Sequence, residues 1–161
     1  VLFCLLSLSY SQETIVLEGI EIMQIEIKRG STSPLRLDDP TSLIIENFGQ
    51  PDQIEDYYYE MAEVWAKRLF YDASEFYTVD GKLDAFDIKT SDFNVGLNAN
   101  YISVGDHISE LGGFYPSYSR WLQENFIAIP FSFGGQVWDT KLIIEFDLQS
   151  NIITRIMRYD P

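Results

Sequence analysis

One segment of the chain is repeated in outline further along, and this internal repeat constrains the fold more than any other feature. Leu43–Gly49 is an apolar helix pattern that stops at Gly49, with Pro51 just beyond it. Asp106–Gly112 shows the same arrangement, with Pro116 just beyond it. Alternating apolar and polar residues, which are typical of β-strands, follow both segments. The pattern predicts one small α+β unit built twice.

Residues 1–12 are predicted to be the remnant of a secretory signal peptide. Val1–Leu8 is apolar but too short to span a bilayer, and Ser9 and Ser11 are small residues of the kind that a signal peptidase recognises. An N-terminal buried strand is the alternative. Cleavage would remove Cys4, the one cysteine of the chain, so disulfides are not expected. The expected location is secreted or periplasmic, with no transmembrane segment in the mature chain.

The remaining sequence divides into two predicted units. Residues 13–90 form the first unit and residues 91–161 the second, because the stretch Ser91–Asn100 between their patterns is polar and weakly periodic. In each unit, a short helix or helical pair is expected to pack on an antiparallel β-sheet. The predicted fold class is therefore α+β, with two tandem units.

Strand-like segments follow both predicted helices, at residues 66–71, 75–79, 82–88, 126–133, 137–147 and 152–159. Asp80-Gly81 separates two of these segments and is a strong signal for a hairpin turn. The connections between strands are too short for crossover helices, so the sheet is predicted to be antiparallel throughout. Asp52–Glu63 leaves two alternatives open, a second acidic helix and an aromatic-rich loop.

Short motifs at the helix ends and hairpin turns carry a family resemblance. They are Phe48–Pro51 with Asp80–Leu83 in the first unit, and Leu111-Gly112 with Ser150–Ile153 in the second. This pattern resembles the SmpA/OmlA fold of small outer-membrane-associated lipoproteins, and its tandem form resembles the β-lactamase inhibitor protein family. The resemblance implies two α+β units side by side that bind other proteins rather than catalyse a reaction. It implies no particular target, because no inhibitory loop matches residue by residue.

The charge of the chain limits its partners. The formal net charge is −14, and the adjacent basic pairs Lys28-Arg29 and Lys67-Arg68 lie among carboxylates. Nucleic acids and anionic membranes are bound by clustered Lys and Arg, so neither is an expected partner. Plain solubility is one explanation of the acidity. Electrostatic steering toward a basic protein partner is the other.

The sequence carries no motif that predicts catalysis. His107 is the one histidine, it lies in a predicted helix, and no nucleophile motif accompanies it, so a solvated or capping role is expected. The acidic residues of Asp52–Glu63 lack the spacing of a Ca²⁺-binding loop, and a solvated acidic face is expected there. A glycosidase-like pair of carboxylates is the remaining alternative. The chain is accordingly predicted not to be an enzyme and to hold no metal or cofactor.

Two groups of aromatic residues are the predicted partner-binding residues. They are Tyr57, Tyr58 and Tyr59 in the first unit, and Phe114, Tyr115, Tyr118 and Trp121 in the second. Three successive tyrosines cannot all enter one buried face, and Tyr and Trp are enriched at interface hot spots. The alternative is that these rings cover the open end of each small core.

The predicted function is a secreted or periplasmic, non-enzymatic protein-binding module that recognises its partner through exposed aromatics in an acidic surface. Two alternatives remain open at this point. One is an immunity-like inhibitor of a basic enzyme or toxin, and the other is a carrier of a small apolar ligand whose pocket lies between helix and sheet.

Overall fold

Strands dominate the fold of this protein. The computed structural model describes residues 19–60 and 62–159, so the predicted signal-peptide segment lies outside the described residues. The described part contains the strands β1 (Ile20–Glu21), β2 (Glu26–Arg29), β3 (Gln53–Tyr59), β4 (Val64–Tyr71), β5 (Ser74–Val79), β6 (Lys82–Ile88), β7 (Phe93–Leu97), β8 (Asn100–Ser103), β9 (Phe126–Phe133), β10 (Gln136–Phe146) and β11 (Ile153–Tyr159). It also contains the helix α1 (Thr41–Phe48) and the 3-10 helices Ile22–Gln24, Ile108–Gly113 and Pro116–Trp121. No helix among these is long and apolar enough to cross a membrane.

The predicted α+β class is wrong, because the protein is mostly β. In place of the second predicted helix, the structure has only the 3-10 helix Ile108–Gly113. Gly112 and Gly113 raise the conformational-entropy cost of forming a longer helix there. Asp52–Glu63 is neither a second helix nor a loop, since most of it forms the strand β3. Tyrosine-rich sequence favours strands, and pairing with β4 fixes the choice here. The protein therefore lacks the two repeated helix-on-sheet units that the sequence suggested.

The helix α1 begins and ends at local signals in the sequence. Asp39 accepts a hydrogen bond from the N–H of Arg36 at 2.7 Å, and the helix starts after Pro40. Phe48 faces the core at the other end and is buried. Gly49 ends the helix as predicted, with a φ of 86° that residues carrying a Cβ adopt only at a cost.

Eight strands form one large sheet in the order β1-β9-β10-β11-β6-β5-β4-β3. The meander β3 to β6 and the meander β9 to β11 meet where β6 pairs with β11, at Asp87↔Met157 and Ile88↔Ile156. The predicted antiparallel sheet is confirmed for both meanders. The exception is β1, which joins the edge of β9 in parallel. One continuous sheet therefore carries strands from both predicted units.

A second layer covers one face of this sheet. It consists of α1, the 3-10 helices and a three-stranded sheet in the order β2-β7-β8. The hairpin of β7 and β8 starts inside the polar stretch Ser91–Asn100, where the sequence pattern predicted only a boundary. The core lies between the layers, and rings such as Phe48, Phe76 and Phe93 pack there with centroids 5.1–5.3 Å apart.

The same set of hydrogen bonds precedes α1 and the 3-10 helix Ile108–Gly113. Asp106 accepts a hydrogen bond from the N–H of Ser103 at 2.7 Å, as Asp39 does from Arg36. The carbonyl of Asp39 then accepts from Leu83 of β6, and that of Asp106 from Ile153 of β11, both at 2.8 Å. Each meander thus holds the segment before its helical turn in the same way. The tandem repeat and the division after residue 90 stay predictions.

The other face of the eight-stranded sheet has no second layer among the described residues. Burial alternates along β5, where Ser74, Phe76 and Thr78 are buried and Glu75 and Tyr77 are half-buried. The same alternation runs along most of β10. Since alternate residues of a strand point to opposite faces, one face packs on the core and the other meets solvent. This open face holds the candidate site.

Candidate binding surface

A groove crosses the open face near the β3 end of the sheet. Its walls include Tyr57, Tyr59, Tyr77, Ala85 and Met157, and we call it the tyrosine groove. Its volume is about 530 Å³. The groove therefore has the size of a small-molecule or peptide side-chain site, although it is open to solvent along the sheet.

Three tyrosines from two strands contact one another in this groove. Tyr57 and Tyr59 lie two residues apart on β3 and meet edge to face, with ring centroids 5.0 Å apart. Tyr77 of β5 approaches both, with centroids 5.5 Å from Tyr57 and 6.0 Å from Tyr59. Edge-to-face contacts of this kind hold each ring in place. The cluster is thus a rigid aromatic surface before any partner arrives.

The phenol groups of Tyr59 and Tyr77 remain neutral in ordinary buffers. Burial raises the pKa of Tyr59 well above its ordinary value of 10.0, with a further contribution from the carboxylate of Asp84. Burial also raises the pKa of Tyr77, and the hydrogen bond that its hydroxyl donates to Glu75 at 2.6 Å adds to the effect. These hydroxyls therefore act as hydrogen-bonding groups and not as bases.

Tyr58 lies on the opposite face of β3. Its ring packs on Trp65 of β4, with centroids 5.0 Å apart, and both side chains are exposed. The three successive tyrosines thus divide between two surfaces, because β3 is a strand. The structure brings Tyr57 and Tyr59 together and separates Tyr58 from them.

A row of alternating charges runs beside the groove and spans six strands. The members of this ion-pair row, in order across the sheet, are Glu55, Arg68, Glu75, Lys89, Asp87, Arg155 and Glu145. Neighbouring members approach within 2.6–3.6 Å. Arg68 also lies over the ring of Tyr57, 5.5 Å from its centroid, so the row supports the groove directly.

Asp87 is the centre of the ion-pair row. Arg155 donates to its two carboxylate oxygens at 2.6 and 2.8 Å, and Lys89 approaches at 2.8 Å. Burial alone opposes ionisation of Asp87, but the hydrogen bonds from Arg155 and Lys89 outweigh it and hold its pKa below the ordinary value. Asp87 faces Met157 across the junction of the two meanders. The row therefore fastens the sheet at the point where its two parts meet.

The second predicted aromatic group does not join the groove. Tyr115 is buried, and Phe114 and Tyr118 are partly buried against the core. The side chain of Trp121 lies outside the described part of the structure. These positions accord with the alternative that the rings cover one end of the core, and a role in partner binding stays a prediction for this group.

The sequence pattern did not predict some of the surface aromatics. Tyr77 was missed because its place beside Tyr57 depends on the register of β3, β4 and β5. Phe133 and Trp138 were not predicted either. Their position on either side of the predicted turn Gly134-Gly135 was a sequence signal that could have identified them as neighbours at a hairpin tip. These two rings are exposed at the tip of the β9–β10 hairpin, with centroids 5.9 Å apart.

The described residues show no catalytic constellation around these surfaces. His107 accepts a hydrogen bond from the N–H of Ser109 at 3.2 Å, so it caps the 3-10 helix, one of the roles expected for it. Within the described ranges, no three His, Cys, Asp or Glu residues come together in a way that could hold a metal ion. The arrangement offers binding groups, namely aromatic faces, phenol hydroxyls and fixed charges.

Comparison with protein-family models, with curated proteins and with solved structures finds no match to this chain. The SmpA/OmlA-like resemblance of the short motifs therefore stays a prediction.

Proposed function

We propose that this protein is a non-enzymatic binding module whose tyrosine groove receives a basic segment of a partner protein. The observation that carries the proposal is the contact of Tyr57, Tyr59 and Tyr77 on a sheet face that no described element covers. A folded protein gains little from keeping three large rings half in water. A partner that buries the exposed parts of these rings would gain the free energy of removing their apolar surface from water.

Rigidity of the groove favours binding. Each ring is held by its neighbours, and Tyr77 is also held by its hydrogen bond to Glu75. Ordering an interface side chain costs about 0.5–1.5 kcal/mol when that side chain is free before binding. The groove avoids much of this cost, because its rings are already in contact. Tyrosine is for the same reason a frequent hot-spot residue.

Charge supports a basic partner. Residues 52–63, which contain β3, carry five acidic and no basic residues, and the whole chain has a net charge of −14. Such a field accelerates association with a basic protein, and the acceleration decreases as salt screens the charges. An inhibitor of a basic enzyme or toxin is the more specific form of this function. The secreted or periplasmic location belongs to the same proposal.

Tyr57 and Tyr58 provide a matched pair for the test. They are adjacent, of the same type and similarly exposed, at 36% and 41%, but they lie on opposite faces. The experiment is affinity capture from an extract of the source cells with wild type, Tyr57→Ala and Tyr58→Ala, at low and high salt. A captured protein is then titrated against each variant.

We expect Tyr57→Ala to lower the affinity for the partner at least about tenfold, which corresponds to the loss of about 1.4 kcal/mol of binding free energy at a hot spot. Tyr58→Ala is expected to change the affinity by less than about threefold, and high salt to weaken it for every variant. Equal losses for Tyr57→Ala and Tyr58→Ala, or none for either, would contradict recognition through the groove.

A small apolar ligand is a second candidate, because the groove volume of about 530 Å³ lies in the range of small-molecule sites. The space between helix and sheet, which was the predicted pocket of the ligand-carrier alternative, is filled by core residues including Ile44 and Phe48. An apolar fluorescent probe distinguishes the candidates. If the protein carries a ligand, the fluorescence of the probe rises with protein concentration, and Tyr57→Ala abolishes this rise. If the protein is a protein-binding module, the fluorescence of the probe stays unchanged.

A further inference from the structure

One edge of the large sheet is open to another strand. β3 is the last strand in the sheet order, and within the described residues it pairs with β4 alone. Its residues, Gln53–Tyr59, are exposed or only partly buried. In a strand paired on one side, every second residue turns its backbone N–H and C=O groups away from the neighbour. β3 therefore presents a row of backbone donors and acceptors next to the tyrosine groove.

We propose that β3 accepts an extended, basic segment of the partner as an added strand of the sheet. This inference rests on the proposed function and specifies how the partner binds. Strand addition obtains affinity from main-chain hydrogen bonds, and it obtains selectivity from the side chains that flank the edge.

The edge strand presents different groups on the two faces of the sheet. Tyr57 and Tyr59 lie on the groove side, and Tyr58 lies on the other side against Trp65. The side chains of an added strand alternate between the same two faces. Alternate side chains of the partner segment therefore contact the groove tyrosines, and the intervening ones lie on the face that carries Asp56. Long side chains with apolar stems and charged ends, such as Lys and Arg, fit both positions.

The charge of β3 selects its occupant. In an antiparallel pair of two β3 strands centred on Asp56, the two Asp56 carboxylates would lie opposite each other, with Glu55 close by. Like charges directly opposite destabilise a strand pair, so a second copy of this chain is a poor occupant. A strand with Lys or Arg opposite Asp56 instead gains a cross-strand ion pair.

Asp56 remains available to such a strand. Its ion pair with Lys67 of β4 spans 3.0 Å, but both side chains are largely exposed. Exposed pairs of this kind contribute little, so Asp56 can share or exchange its partner at small cost. Asp56, near the middle of β3, thus disfavours pairing with a second copy of β3 and favours pairing with a basic strand.

Synthetic peptides test the added strand directly. The probe is a short peptide of alternating lysine and valine. Two further versions carry N-methyl groups on one or the other set of alternate backbone amides. Successive N–H groups of an extended strand point to opposite edges, so one methylation pattern blocks the edge that faces β3 and the other does not. Binding is measured by calorimetry, and amide exchange of β3 is followed by NMR.

Strand addition predicts a clear asymmetry. One methylated peptide binds at least about tenfold more weakly than the unmodified one, the other binds within about threefold of it, and alternate β3 amides exchange more slowly in the complex. Asp56→Lys weakens the unmodified peptide about tenfold, whereas Glu46→Lys, the same charge change at an exposed site on α1, alters it by less than about threefold.

The failures of the two proposals are distinguishable. If both methylated peptides bind as tightly as the unmodified one while Tyr57→Ala still weakens binding, strand addition is overturned and the groove function remains. If wild type and Tyr57→Ala bind the peptide equally and no β3 amide is protected, both proposals are overturned.

Discussion

The ion-pair row makes a quantitative prediction at its centre. Asp87 is 8% exposed, and its carboxylate binds both Arg155 and Lys89. Removing one partner of a buried ion pair costs about 3–5 kcal/mol, because an uncompensated charge is left behind. The cations here are 33% and 34% exposed, so water solvates part of the freed charge. We expect Asp87→Asn to lower the free energy of unfolding by about 2 kcal/mol.

Glu145→Gln is the matched control for this variant. Glu145 approaches the same Arg155, but at 3.4 Å and with 37% of its side chain exposed. An exposed pair contributes between about 0 and 1 kcal/mol, so the control stays close to wild type. Urea unfolding, followed by far-UV circular dichroism with a common slope, measures both variants. Equal losses for Asp87→Asn and Glu145→Gln, or a loss below about 0.5 kcal/mol for Asp87→Asn, would refute the central role of Asp87.

The pH dependence of the same variant follows from the lowered pKa of Asp87. Its ionised form stabilises the fold, so the contribution is complete above the unfolded value of 3.8 and is lost as pH falls through the lower folded pKa. The difference in stability between wild type and Asp87→Asn therefore stays constant from neutral pH down to about pH 5 and narrows below about pH 4. A difference that narrows above pH 6 would mean that another group is responsible.

Three further predictions concern the core, a close approach and alkaline pH. Phe48→Ala, which empties the site between Phe76 and Phe93, should cost about 3–5 kcal/mol in urea unfolding, while the exposed Phe133→Ala should cost less than about 1 kcal/mol; similar costs would contradict the placement of the core. Gly96→Ala should cost about 1–3 kcal/mol in thermal unfolding, because a Cβ there meets the ring of Tyr101 and the carbonyl of Asn100, and an unchanged Tm would contradict that packing. Burial raises the pKa of Tyr71 to about 12, so the contribution of its neutral form to stability falls as pH rises above the unfolded value of 10.0. Between pH 9 and 11, Tyr71→Phe should therefore lose less stability than wild type. Equal losses in the two proteins over this pH range would contradict the raised pKa.

Local signals in the sequence predicted the hairpin turns and the helix end. Asp80-Gly81 forms the predicted turn because both residues adopt positive φ, at 51° and 75°. Gly49 ends α1 for a similar reason. Apart from β3, the strands of both meanders also lie close to their predicted bounds, since one of their faces is buried and the apolar alternation is visible. Such features depend only on neighbours in the chain.

β3 was mispredicted because no alternation marks it. An edge strand that is exposed on both faces carries polar and aromatic residues on either side, so Gln53–Tyr59 shows no period of two in its hydrophobicity. Its pairing with β4 is what makes it a strand. The β7–β8 hairpin was missed for a different reason. Phe93, Val95 and Leu97 do alternate with smaller or polar residues, but the polar composition of the whole stretch masks this alternation.

The candidate site depended on long-range register as well as on sequence. The position of Tyr57 and Tyr59 on one face follows from their spacing once β3 is known to be a strand. The position of Tyr77 beside these two tyrosines depends on strand register, because Arg68 pairs with Glu55 on one side and with Tyr77 on the other. No local sequence pattern specifies this register across three strands. Tyr115 became a core residue because the 3-10 helices fold back onto the sheet.

Site-specific photo-crosslinking gives a direct test of recognition through the tyrosine groove. A photoreactive phenylalanine derivative replaces Tyr57 in the groove or, as a control, Trp138 at the exposed hairpin tip. Both variants are irradiated in an extract of the source cells. Recognition through the tyrosine groove predicts a discrete protein adduct from position 57, reduced at high salt and missing from position 138. An adduct from position 138 without one from position 57 would contradict the account and move the binding surface to the β9–β10 hairpin.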